Sequence, residues 1–139
     1  MLYFSYPATV EEYEPGDFVI RFADVPEAMT FGRTPEEALA NAPDALATAI
    51  DHYIDREPAV PLPRAAKAGE FSVTLDPDIA ARVILKHAMT EQGLSNVALA
   101  RRMHRDEKAV RRILSGRRAS FALTLAALKA VGLRPALAV

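Results

Sequence analysis

No cysteine occurs in the 139 residues of this chain, so neither a disulfide framework nor a cysteine-ligated zinc site can hold it together. No apolar run approaches the roughly 18 to 20 residues that a membrane span needs. The opening residues, Met1-Leu2-Tyr3-Phe4-Ser5, lack the charged and apolar regions of a secretory signal. Catalytic signatures are missing as well: there is no G-x-S-x-G, no Walker loop and no dinucleotide fingerprint. The histidines, His52, His87 and His104, fall on three separate elements and read as single packed or exposed residues, not as ligands. Together these absences lead us to expect a cytoplasmic protein that is not an enzyme, with no catalytic residue, no cofactor, no metal and no membrane partner.

What is present is globular: half of the chain is hydrophobic and a quarter is charged. The net charge of −1 hides an uneven distribution. Residues 1–76 hold 14 Asp and Glu against 5 Lys and Arg, a balance of −9. Residues 77–139 hold 12 Lys and Arg against 4 Asp and Glu, a balance of +8. Such a shift implies an acidic half and a basic half with different partners, and a basic half most often meets phosphate.

The periodicity changes at the same place. Leu2, Phe4, Tyr6, Ala8 and Val10 alternate with polar residues, Glu14-Pro15-Gly16-Asp17 is a turn, and Phe18, Ile20 and Phe22 alternate again. The pattern predicts a hairpin, followed by a third short strand over Ala28–Gly32. Thr34-Pro35-Glu36-Glu37 opens a helix, with Thr34 as its cap and Glu37 closing a capping box. Leu39, Ala42, Leu46, Ile50 and Tyr53 form its expected apolar stripe, and Pro43 inside it should cost about 3 kcal/mol or kink it. Three prolines between Glu57 and Gly69 mark a connection, and Phe71–Leu75 alternates as a fourth strand.

Beyond it, helices are expected over Pro77–Gln92, from a Ser95 cap to Met103, from an Asp106 cap to Leu114, and over Phe121–Val131. Leu133–Val139 reads as a strand that pairs with a symmetry mate. The fold class is therefore α+β, a β-β-β-α-β domain over 1–70 with its proline-rich connection and an all-α domain over 71–139.

The two short helices read as a helix-turn-helix. Ala100 is the small residue where they cross, and Leu99, Met103, Val110, Ile113 and Leu114 lock the pair. The second helix of such a pair enters the major groove, where Arg and Lys read base edges. It presents Glu107, Lys108, Arg111, Arg112 and Ser115, while Arg101, Arg102, Arg105, Arg117 and Arg118 surround it and neutralise phosphates. A helical bundle with a solvated basic face is the plainer alternative. In the acidic half, Asp44, Asp51 and Asp55 share one helix, and no convergent carboxylate set of the kind a two-metal nuclease needs is visible.

The run Phe22-Ala23-Asp24-Val25-Pro26-Glu27-Ala28-Met29-Thr30-Phe31-Gly32-Arg33-Thr34-Pro35-Glu36-Glu37-Ala38 resembles the signature of HicB-type antitoxins. That family shows a strand, an Asp-x-Pro corner, a threonine and glycine, and a helix opening with Thr-x-x-Glu-Ala. Asp44-Ala45-Leu46 through Tyr53 and Pro61-Leu62-Pro63 continue the likeness. Leu99-Ala100-Arg101-Arg102 is similar to the core of the subgroup with a C-terminal, Xre-like helix-turn-helix. The departures are Pro43 and Glu27-Ala28, where many members have Pro-Gly.

The resemblance implies a partial RNase H-like first domain without nuclease carboxylates. Its implied partners are a HicA-type toxin, a small mRNA interferase bound through the first domain, and operator DNA bound through the second. Acidic residues near the corner, Asp24 and Glu27, are the expected toxin contacts. A homodimer or dimer of dimers is expected, because two recognition helices about 34 Å apart match one turn of DNA. The alternative is a free-standing helix-turn-helix regulator whose first domain senses a small ligand, which requires a lined pocket.

Overall fold

Pro15 and Gly16 fold the N-terminal alternation back on itself. Gly16 takes the left-handed conformation at φ 82°, so β1 (Ser5–Glu14) and β2 (Asp17–Phe22) pair antiparallel, with Ala8 opposite Phe22 and Val10 opposite Ile20. The computed structural model describes residues 4–116 and 119–135. These form two compact units, residues 1–52 with 61–76 and residues 53–60 with 77–139.

In the first unit, β3 (Met29–Gly32) pairs with β2, and β4 (Phe71–Thr74) pairs with the other edge of β1. The result is a four-stranded antiparallel sheet in the order β3-β2-β1-β4. Tyr6, Ala8, Ile20, Phe22 and Val73 point to one face and are buried. Their alternation is the one the sequence shows. β4 hydrogen-bonds to β1, so the sheet carries the first unit through Asp76, and the division expected after residue 70 falls behind this strand.

The helix α1 (Pro35–Arg56) lies on that face. Its start follows the expected chemistry. The Glu37 amide donates to Thr34 Oγ1 at 3.1 Å, and the Glu37 carboxylate accepts the Arg33 amide at 3.2 Å. Its buried stripe is Ala38, Ala42, Leu46, Ala49, Ile50 and Ile54. Leu39 and Tyr53, expected in that stripe, are only half-buried. The small Ala38 faces inward where the first turn of the helix comes very close to the end of β3. A Cβ placed on Gly32 would lie 2.3 Å from the Ala38 amide nitrogen, and Asn41 Nδ2 donates to the Phe31 carbonyl at 3.0 Å. Pro43 neither breaks nor ends the helix. It lies on the exposed side, where water can reach the carbonyl its missing N–H leaves behind.

The proline-rich connection is pinned to this unit. Tyr6 donates its hydroxyl proton to the Pro61 carbonyl at 2.7 Å, and the Arg64 amide donates to Asp24 Oδ2 at 3.4 Å. Arg64 forms a two-pronged pair with Glu70 at 2.8 and 2.7 Å. Hydrogen bonds from Arg64 and from the Lys67 amide hold the Glu70 carboxyl down at about 2. Burial pushes the Tyr6 phenol well above its ordinary value, with the Asp24 charge adding to it.

The second unit is helical: α2 (Pro77–Gln92), α3 (Asn96–Arg102), α4 (Glu107–Ser115) and α5 (Phe121–Ala130). Ser95, Asp106 and Ser120 cap α3, α4 and α5, each side chain accepting an amide at 3.1 Å. Leu85, Met89, Leu99, Ala100, Val110, Ile113, Ala127, Leu128 and Val131 close a single core. Lys86 donates to the Tyr53 carbonyl at 3.1 Å and to the Ile54 carbonyl, holding the last turn of α1, and burial pushes its ammonium pKa down. Of the strand expected over Leu133–Val139, residues 133–135 are not extended into a ladder, and residues 136–139 lie outside the described residues.

The Gly32 contact yields a direct prediction. Gly32→Ala forces backbone against backbone and should destabilise the chain by about 2–3 kcal/mol, read as a lower midpoint in urea unfolding. An unchanged midpoint would show that strand and helix do not make this approach.

Candidate functional site

The basic residues gather on the surface formed by α3, the turn after it, and α4. Ala100 is buried where the two helices meet, because only a small side chain lets their backbones approach. α3 ends in a left-handed turn at His104, φ 55°. The His104 amide bonds to the Arg101 carbonyl at 3.1 Å and the Arg105 amide to the Ala100 carbonyl at 2.9 Å. That pairing satisfies the orphan carbonyls of a helix end, and a histidine occupies the position usually given to glycine. The reversal takes Met103 to Asp106 and hands the chain straight to the cap of α4.

α4 buries Ala109, Val110 and Ile113 and turns Lys108, Arg111, Arg112 and Ser115 to solvent. Glu107 is half-buried and accepts Arg111 Nη2 at 2.9 Å across one turn. An exposed pair of this kind contributes only a few tenths of a kcal/mol, so a phosphate or base edge can take Arg111 from it. Arg101 and Arg105 are exposed beside this face. Arg102 is used differently. Its Nη1 donates to Gln92 Oε1 at 3.1 Å and to the Ala130 carbonyl at 3.4 Å, which ties α3 to the ends of α2 and α5. Arg117 and Arg118 lie outside the described residues.

A residue absent from the sequence reading completes the arrangement. Arg82, on α2, is 7% exposed, and its Nη1 donates to the Leu114 carbonyl at 3.3 Å. A cation there faces the negative end of the α4 dipole. Gly116, left-handed at φ 70°, leaves room for it, since a Cβ at that position would come within 2.9 Å of the guanidinium carbon. The signal was available in the sequence, because Arg82 follows Ile79 by three residues and precedes Val83, both of the buried stripe of α2.

The acidic candidates separate in the same manner. Asp24 is half-buried and accepts the Arg64 amide, so it anchors the connection, while Glu27 is exposed. The sheet face away from the buried one carries Met29 and Phe31, 44% and 50% exposed, beside the exposed Glu11 and Arg21. These apolar neighbours of the acids were not singled out from the sequence. Among the described residues no three His, Asp or Glu side chains come together as metal ligands, and no helix is long and apolar enough to cross a membrane. A shallow hollow lined by Lys129, Gly132, Leu133, Arg134 and Pro135 lies in the helical unit.

An acidic unit built on a four-stranded sheet and a basic unit of four short helices make up this α+β chain. Residues 5–86 match the model of the HicB-like antitoxins of bacterial toxin–antitoxin systems, and the chain belongs to that family. It is 41% identical over 110 residues to Antitoxin HicB 2 of Photorhabdus laumondii, covering 79% of this chain and 77% of that protein. Antitoxin HicB 1 of the same organism is 38% identical over 108 residues, 78% and 68% of the two chains. Antitoxin HicB of Escherichia coli K12 is 32% identical over 110 residues, 79% and 80% of the two chains.

The Arg82 arrangement can be tested by a double-mutant cycle. Arg82→Met removes a charge-assisted hydrogen bond and should cost about 1.5–3 kcal/mol in thermal or urea unfolding. Gly116→Ala should cost less in the Arg82→Met background than in the wild type, because the guanidinium it meets is gone. Strict additivity would show that the two side chains do not meet.

Proposed function

We propose that this chain neutralises a HicA-type toxin through its first unit and represses its own operon by binding operator DNA through its second. Membership of the HicB-like family carries the toxin half of this reading. The charge division supplies its physical rationale. A toxin that cleaves mRNA has to be basic where it holds phosphates, and an acidic half, −9 over residues 1–76, can occupy that surface and speed the encounter. Glu27, exposed two residues before Met29, supplies a charged rim in this reading, and the half-exposed Met29 and Phe31 supply the apolar centre that such a contact uses. Asp24 contributes from behind, by holding the connection in place.

The DNA half of the reading rests on α4. Two short capped helices, a small crossing residue and an outward row of Lys108, Arg111 and Arg112 match a helix-turn-helix whose second helix reads the major groove. Arg101 and Arg105 add phosphate contacts at its edge, as would Arg117 and Arg118. The surface is non-catalytic in this reading: it works by occupancy alone.

Co-expression with the adjacent short basic protein tests the toxin half. The neighbour alone should arrest growth, and this chain should restore growth and co-purify with it. Failure of both rescue and co-purification would leave the free-standing regulator as the better reading. For the DNA half, Arg111→Ala should weaken operator binding by about 1–3 kcal/mol and relax base preference, measured by fluorescence anisotropy at fixed salt. Undiminished binding by that variant would displace α4 as the reading helix.

A further inference from the structure

The DNA reading accounts for the cations of α4 and leaves its outward carboxylate unexplained. Residues 95–116 hold six Lys and Arg against two carboxylates, Asp106 and Glu107. Asp106 caps α4 by accepting the Ala109 amide at 3.1 Å. Glu107 stands one position later, and its Oε1 accepts Arg111 Nη2 at 2.9 Å. The helix buries Ala109, Val110 and Ile113. At about 100° per residue, Arg111 and Lys108 then lie near the middle of its outward side, with Glu107 at one rim and Arg112 at the other. An acid in the first turn and an exposed pair one turn apart each add little to a helix. Against that small gain, a negative charge on this surface opposes the approach of any polyanion.

We infer that Glu107 makes α4 discriminate operator from other DNA, by holding Arg111 for a base edge and opposing its capture by phosphate. The inference rests on α4 as the reading helix. A guanidinium presents five N–H donors in a planar fork. Glu107 engages one Nη2 proton, which restricts the fork and leaves its other donors to a second acceptor. Two partners in a DNA groove fit such a fork: guanine O6 with N7, and the two free oxygens of a phosphate. They differ in charge. The guanine edge is neutral overall, whereas the phosphate carries a full negative charge. A carboxylate in contact with the same guanidinium therefore repels the phosphate and is nearly indifferent to the base. The penalty falls on complexes held by phosphate contacts alone, which is the nature of non-specific binding. Position favours the same role, since the N-terminal turn of a reading helix is the part that meets base edges. Arg101 and Arg105, exposed beside α4, remain for the backbone.

Glu107→Gln keeps the size of the side chain and removes its charge. Fluorescence anisotropy of the full chain, over a series of salt concentrations, compares a duplex from its own promoter with a scrambled duplex of equal length and composition. Glu107→Gln should tighten scrambled-duplex binding about five- to tenfold and change promoter binding by less than about threefold, so that the ratio between them falls. The salt dependence of scrambled-duplex binding should steepen by about one ion. Glu91→Gln removes the same charge from an exposed position on α2 and should leave the ratio unchanged, which separates the local contact from net charge. Glu107→Ala repeats the measurement should the glutamine variant not fold. An unchanged ratio in a folded Glu107 variant, or an equal fall for Glu91→Gln, overturns the inference. Arg111→Ala, measured beside them, shows which reading has failed. If it weakens promoter binding while Glu107→Gln leaves the ratio intact, α4 still reads DNA and only the role of Glu107 is lost. If it binds the promoter undiminished, α4 is not the reading helix and the inference falls with that reading.

Discussion

Gly32 and Ala38 touch backbone to backbone, and most of the first unit follows from that contact. It leaves no room for a side chain at position 32 and brings the first turn of α1 against the end of β3, where the small Ala38 faces inward. Because α1 is fixed at its first turn, Asn41 reaches the Phe31 carbonyl, and Leu46 and Ile50 are buried, as are Tyr6, Ile20 and Phe22 of the sheet. The same helix can carry a proline at position 43 because its anchored face is elsewhere. The other face of the sheet carries Met29 and Phe31, half exposed, with Val19 buried between its neighbours.

The second unit solves a different problem, which is to present a row of like charges on a short helix without losing the helix. α4 has nine residues, too few to be stable alone. Its N-terminus is held by Asp106, its apolar side by the core, and its C-terminus by the buried guanidinium of Arg82. Each support works from behind, so the outward side is left to Lys108, Arg111 and Arg112. Arg102 shows that a cation in the right stretch of sequence can be spent on scaffolding instead, since it ties helix ends together.

Much of this was legible in the residue order. The hairpin, the third and fourth strands, the capped helices and the α+β division all follow from alternation, turn chemistry and capping residues, which act between near neighbours. The acidic and basic halves were legible for the same reason, as charge is a property of composition. Less legible were the inward stripe of α1, the end of the first unit, and the separate duties of Asp24 and Arg102. Those depend on partners 40 residues distant for Asp24 and 28 for Arg102. The expected C-terminal strand falls largely outside the described residues.

The sequence by itself determined the elements, their order, the charge of each half and the family resemblance. All of these are written in local patterns of side chains. Only the tertiary structure decided which charges stand unengaged by distant elements and which fasten one element to another. A carboxylate or guanidinium has the same character wherever it stands in the chain. Its task depends on whether a carbonyl or amide from a distant element comes within hydrogen-bonding distance, and that distance is set by packing alone.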